Sequence, residues 1–184
     1  SDDAGNGSGS AYIFVRSGTS WSQQAKLTAS DAAAGDAFGD AVSIDGDYAI
    51  VSAPENDDAG SNSGSAYIFV RSGTSWSQQV KLTASDATSY DYFGFGNVSI
   101  SGDNALVGSF GSNDAGNDSG SAYVFTRNGT SWSQKSKLTA SDAAAGDRFG
   151  EAVAIDGDYF IVGAQSDDDA SGANGMGSAY IFFN

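Results

Sequence analysis

Carboxylates recur along this chain at fixed intervals, and any chemistry it performs would begin with them. Asp36, Asp91 and Asp147 each stand two residues before a Phe-Gly pair, and Asp31, Asp86 and Asp142 stand five residues earlier still. Two neighbouring carboxylates can divide acid and base work between them. A catalytic pair is needed once, however, and these recur in every unit, as aspartates that fix a turn would. A second acidic set reads Asp57-Asp58, Asn113-Asp114 and Asp167-Asp168-Asp169, with Asp2-Asp3 as a remnant. Clustered carboxylate and amide oxygens in a loop are ligands that Ca2+ takes, so these are the candidate metal residues. The alternating Asp-x-Asp-x-Asp-Gly of a dedicated calcium loop is missing, and the competing reading is a solvated turn whose aspartates cap their own backbone. Trp21, Trp76 and Trp132 could stack on sugar rings. They also stand at the same place in each unit, and packing between units is the favoured reading.

Composition narrows the rest. Histidine and cysteine are absent, which removes the commonest general base, the thiol nucleophile, disulfides and the usual zinc ligands. No nucleophile–base pair is legible, so a hydrolase is the least favoured class. With 23 acidic and 8 basic residues the net charge is −15, and neither nucleic acid nor an anionic membrane surface is an expected partner. No apolar run is long enough to span a membrane as a helix, and insertion is not expected. The lone methionine is Met176, so a chain opening at Ser1 reads as processed or trimmed. Asn6, Asn97, Asn117 and Asn128 each begin a match to the glycosylation sequon, a short pattern common in Ser-rich chains.

The elements that position these residues are repeats. The text Gly64–Ala87 stands again at Gly9–Ala32 with one change and at Gly120–Ala143 with five, and its opening returns at Gly177–Phe182. The tryptophans mark a period of about 55 residues, the signature of a repeat architecture. Each period holds four short apolar stretches. In Phe38–Ile44, Phe38, Val42 and Ile44 fall on one face and small residues on the other, a period-two strand signal. Asp45-Gly46, Ser101-Gly102 and Asp156-Gly157 follow as hairpin signals with positive φ at both central positions. Tyr48–Ala53 and Ala66–Val70 are apolar almost throughout, as strands covered on both faces are. Ser72–Ser75 is a turn, and Trp76–Leu82 is half polar, as an exposed outer strand would be. No window carries a capped helical stripe, and Ala32–Ala34 reads as a loop or single turn.

Four antiparallel strands per unit describe a propeller blade, and stacked blades cover both faces of the middle strands. A β-sandwich is the runner-up, but it does not account for near-identical units. The fold class expected is therefore all-β, with about three tandem repeats and incomplete terminal blades. Residues 1–35 would be a partial blade of strands three and four, 36–90 and 91–146 full blades, and 147–184 a partial blade of strands one to three.

These phrases resemble a known repeat. Phe38-Gly39 with Ser52-Ala53-Pro54, Phe93-Gly94 with Gly108-Ser109-Phe110, and Phe149-Gly150 with Gly163-Ala164-Gln165 look like the FG-GAP repeat of integrin α-chain propellers. Lys-Leu-Thr-Ala-Ser-Asp, Gly-Asp-x-Phe-Gly and Gly-Ser-Ala-Tyr-x-Phe are similar to its bacterial version. The resemblance implies a β-propeller in extracellular or surface proteins, used for adhesion and recognition rather than chemistry. It also implies a calcium loop between the first two strands. Here that connection is only Ile44–Tyr48, too tight to wrap the cation, so the site is not carried over.

The function expected is a non-enzymatic surface or structural module acting through protein contacts, located extracellularly or at the cell surface. No cofactor is required on this reading, with Ca2+ the one candidate. The expected partner is another copy of the chain or another surface protein, through the terminal edges Ala11, Tyr12, Ile13, Phe14 and Ala179, Tyr180, Ile181, Phe182. The alternatives are a lectin-like propeller that binds glycans and a fragment of a larger, seven-bladed adhesion propeller.

Overall fold

The computed structural model describes residues 3–168 and 175–183. Among them there is no helix; the regular structure is thirteen strands. β1 (Ala11–Ser17) pairs with β2 (Ser20–Leu27). β3 (Val42–Asp45), β4 (Tyr48–Ala53), β5 (Ser65–Ser72) and β6 (Ser75–Leu82) form one antiparallel sheet in chain order. β7 (Val98–Ser101), β8 (Asn104–Ser109), β9 (Ser121–Asn128) and β10 (Ser131–Leu138) form a second, and β11 (Phe149–Asp156), β12 (Tyr159–Ala164) and β13 (Ser178–Phe183) a third. The described residues thus form a row of four blades, of two, four, four and three strands, and among them no helix is long and apolar enough to cross a membrane.

Local chemistry explains the connections. The hairpins are two-residue turns, but centred one residue later than their Asp-Gly text implies. Asp45 pairs with Tyr48, leaving Gly46 and Asp47 as the loop, with φ 56° at Gly46. Only the first central residue is left-handed, as in the II′ turn that suits the twist of a hairpin. Gly102 and Gly157 repeat it, and Gly18, Gly73 and Gly129 do so between the outer two strands. The first strand is shorter than expected in two blades. Phe38 and Phe93 precede their strand ladders and make single parallel bridges to Gly9 and Gly64 of the preceding blade. Gly39 and Gly94, at φ 98° and 88°, stand between the bridge and the strand.

Each blade has one face toward the preceding blade and one toward the next. Alternating β4 and β5 side chains serve both. Val51, Tyr67 and Phe69 pack back on Ala11 and Leu27, while Ile50 and Ile68 pack forward on Val98 and Ile100. At the next interface, Leu106 and Val124 meet Val153 and Ile155. Burial of such a side chain contributes roughly 1.5–3 kcal/mol, so the inter-blade faces are the core.

Two equivalent positions should therefore respond oppositely to the same change. Ile68 is 0 % exposed and its counterpart Ile181 is 71 % exposed. Ile68→Asp is expected to cost about 3–5 kcal/mol by burying an unpaired charge, and Ile181→Asp less than ~0.5 kcal/mol in the dilute monomer. Urea unfolding of both variants measures the contrast; equal losses would contradict the blade-stacking assignment.

Candidate functional site

The recurrent carboxylates assemble at the seams between blades. Lys81 on β6 stands opposite Tyr67 on β5. Its Nζ lies 2.8 Å from Asp31, which reaches in from the preceding loop, and is also paired with Asp58 and 3.2 Å from Asn56 Oδ1. Tyr67 Oη donates to Asp31 at 3.0 Å. The next blade repeats the cluster, with Lys137 2.7 Å from Asp86 and 2.5 Å from Asp114, and Tyr123 Oη donating to Asp86 at 2.9 Å. Partial burial works to depress both lysine pKa values, but the hydrogen bonds they donate to their aspartates outweigh it and raise them. Burial likewise works to raise Asp31 and Asp86, and their lysine and tyrosine partners win, lowering both. Desolvation, opposed by Lys137, pushes the Tyr123 phenol up to about 12.

This geometry accounts for the calcium candidates one by one. Asp58 and Asp114 bind lysine ammonium groups. Asp57 Oδ1 accepts the amide of Asn62 at 2.8 Å, and Asn113 Oδ1 that of Asp118 at 2.9 Å, as turn-fixing side chains do. Asp167 Oδ2 accepts from Tyr180 Oη at 2.9 Å, and Asp168 Oδ1 accepts the Gly175 amide at 2.7 Å. Asp169 lies outside the described residues. In the short hairpins, Asp45 Oδ2 accepts the Gly102 amide, and Asp47 and Asp103 pair with Arg71 and Arg127. No three acidic residues among those described converge on one point. The oxygens present are committed to ammonium, guanidinium and amide donors and do not fit a calcium cage.

Asp36, Asp91 and Asp147 close the turns that precede Phe-Gly, accepting the amides of Ala33, Thr88 and Ala144 at 2.8, 2.6 and 2.5 Å. Trp76 and Trp132 donate their indole N–H to Gln24 and Gln79 of the preceding blade, both at 2.9 Å. Trp21, before which no blade stands among the described residues, is 66 % exposed.

The Phe-Gly pairs clasp the same seams. Phe38, Phe93 and Phe149 bridge by their backbones to Gly9, Gly64 and Gly120, and their rings meet Tyr67, Tyr123 and Tyr180 edge-on or tilted at 5.5–5.6 Å. A Cβ on Gly120 would overlap the backbone of Phe149, and one on Gly108 the carbonyl of Gly150. The first triplet position, near the end of the second strand, is small because the next blade's Phe-Gly crosses it. The model of the FG-GAP repeat matches residues 21–69, 76–125 and 132–182. The chain belongs to the FG-GAP repeat family. No curated protein matches it. The family's blades are protein-interaction modules, and the all-β fold of propeller-type blades expected from the sequence stands.

As an FG-GAP array this chain has two features outside the repeat text. Among the described residues, the first and last blades leave apolar side chains exposed. Val98 and Ile100, at 3 % and 5 % exposure, correspond to Val42 and Ile44, at 61 % and 56 %. Tyr12, Phe14, Tyr159, Ile161, Ile181 and Phe183 are exposed as well. Of the expected edges, Ala11 is buried and Ile13 half-buried against the second blade, while Tyr180 and Phe182 pack against the third. The second feature went unread in the sequence. Tyr92 stacks on Phe110 at 5.4 Å, flanked by Phe95, Tyr90 and the Arg148 guanidinium. Tyr90 holds φ 68° where the other blades have Gly35 and Gly146. A bulky residue at a position the repeat gives to glycine was the signal available.

The charged seams set an acid limit on stability. Because Asp31 and Asp86 are lowered from 3.8, their contribution is complete above that value and lost as pH falls below it. Asp91 acts in reverse. Burial raises it against the hydrogen bonds from Thr88, so its ionisation subtracts stability as pH rises. The expected profile falls most steeply below pH 3.8. Lys81→Met and Lys137→Met should each cost about 1–2 kcal/mol at neutral pH and flatten that fall. Urea titrations across pH check both; an unchanged slope in the double variant contradicts the assignment.

Proposed function

We propose that the chain is an extracellular or cell-surface structural module that works by having its open terminal blades completed by another protein copy, in adhesion or self-assembly. The observation that carries this is the contrast within one repeat. Side chains that are buried between interior blades are exposed at the two ends, and they are the same residue types. Val42, Ile44, Ile161 and Ile181 form apolar faces already shaped for a blade, since their counterparts receive one. An exposed apolar face beside an unpaired strand edge is a template for association. The Ser-, Thr-, Gly-, Asn- and Asp-rich composition with little Lys and Glu supports a surface location, as does membership of a repeat family typical of such proteins. The seam residues are spent on packing and ion pairs, which supports a non-enzymatic role.

In this reading the parent chain is an assembly whose mass grows with concentration. Deleting Gly177–Asn184 removes one open face and is expected to give monomers. Native mass spectrometry and light scattering measure both. A parent that stays monomeric at high concentration would sink the proposal.

A further inference from the structure

The third blade departs from the repeat at one place on its surface. Tyr90, Tyr92, Phe95 and Phe110 stand where the second blade has Gly35, Ala37, Asp40 and Pro54, and the fourth has Gly146, Arg148, Glu151 and Gln165. Two segments carry these four changes, 90–95 before β7 and Phe110 just after β8, and the fold brings them together. Tyr92 and Phe110 are stacked at 5.4 Å with planes 7° apart, and Phe95 meets both rings, at 6.1 and 5.3 Å. Tyr90 lies 6.4 Å from Tyr92. Packing does not account for the group. Tyr90 is 57 % and Phe95 39 % exposed, and the blades on either side build the same turn without aromatic residues at these positions. Tyr90 moreover holds φ 68°, a left-handed conformation that strains a tyrosine and suits the glycines at its two counterparts. Strain that burial does not offset points to a functional surface.

Neighbouring blades add polar groups. Arg148, from the fourth blade, places its guanidinium 5.4 Å from the centre of the Phe110 ring. Arg71 and Arg127 are each paired with an aspartate, whereas Arg148 has no carboxylate within ion-pair distance among the described residues. In a chain of net charge −15, a guanidinium kept beside aromatic rather than acidic side chains is a fork open to an outside anion. From the second blade, Asn62 Nδ2 donates to the Tyr92 hydroxyl at 3.4 Å. The main-chain donors are already committed: the amides of residues 90–96, 111 and 112 all donate within the protein. A peptide strand laid here would find no backbone N–H to pair with. Recognition falls to ring faces, phenol hydroxyls and the guanidinium.

We propose that this patch binds a pyranose that carries a carboxylate, as uronic and sialic acids do. Tyr90 and Phe95 offer apolar ring surface to the C–H face of the sugar. The Arg148 guanidinium takes the carboxylate in a two-point contact, and the Tyr90 and Tyr92 hydroxyls bond the sugar hydroxyls. The net charge of −15 disfavours a densely anionic polymer, so the ligand is a glycan in which such residues are sparse or terminal. The site uses neither of the exposed outer faces of the described blades and is independent of the proposed self-assembly.

An array of uronate- and sialate-terminated glycans beside their neutral parents, with acidic peptides as a further set, tests the assignment. Methyl glucuronide and methyl glucoside give affinities by NMR titration. The carboxylate-bearing glycans are expected to bind at least ~10-fold more tightly than their neutral parents, and Arg148→Ala to erase that preference. Tyr90→Gly is expected to lower the affinity while leaving the melting temperature unchanged or higher, since it restores the residue of the adjacent blades at a left-handed position. Adding Tyr92→Ala, Phe95→Asp and Phe110→Pro restores the second blade's residues at all four positions; that variant is expected to fold and to bind no glycan. A lower melting temperature in Tyr90→Gly would make the ring a packing element and overturn the proposal. So would equal binding of neutral and carboxylate-bearing glycans, capture of the acidic peptides alone, or no binding at all.

Discussion

The structure depends on one close approach, the crossing of Phe-Gly over the preceding blade. At each full seam a phenylalanine backbone bridges a glycine of the blade before it, and a side chain on that glycine would overlap main-chain atoms. Two backbones at that distance fix the offset between blades more tightly than side-chain packing could, because there is nothing between them to adjust. The phenylalanine ring then sits against Tyr67 or Tyr123, whose hydroxyl reaches the aspartate of the lysine cluster. Glycine, phenylalanine, tyrosine, aspartate and lysine are links of one chain of contacts, which is why they recur as a group rather than separately.

That chain of contacts also gives part of the acidity a structural role. A lysine ammonium placed between two carboxylates on a partly buried seam is held by charge-assisted hydrogen bonds. Its aspartates come from different places in the chain: Asp31 from the loop before the blade and Asp58 from within it. The cluster therefore stitches sequence segments together and penalises a slipped repeat, in which an aspartate would be left facing a gap. Most of the remaining negative charge is on exposed loops, where it favours solubility.

Much of this was legible before any coordinates. The period, the four strands per blade and the covered middle strands follow from Trp76, Tyr48–Ala53 and Ala66–Val70, because burial on both faces demands unbroken apolar text. The turn-fixing role of Asp36, Asp91 and Asp147 follows from their recurrence. The frame of the hairpins was not legible. Asp-Gly and Gly-Asp are both plausible turn centres at Asp45-Gly46-Asp47, and only the pairing of Asp45 with Tyr48 decides between them. Nor could the sequence say that Lys81 meets Asp31 and Asp58, since that contact joins residues 50 and 23 positions apart across two blades. The aromatic group of Tyr90, Tyr92, Phe95 and Phe110 was hidden for a different reason: reading by repeats attends to what recurs, and these residues are where the repeat fails.

A repeat whose units are nearly identical makes an interface that is complementary to itself by construction. The forward face of any blade fits the backward face of any other, because one text encodes both. Interior blades satisfy this within the chain, so covalent order sets the partner. At the exposed outer faces of the described blades the same complementarity persists, and residues that differ between repeats set those faces apart. Asp167, buried where other blades carry Asn56 or Ser112, is such a difference. It leaves the packing text of the blade untouched and changes only the charge beside Tyr180. Near-identity supplies the fit, and a single added carboxylate distinguishes this blade from the two before it.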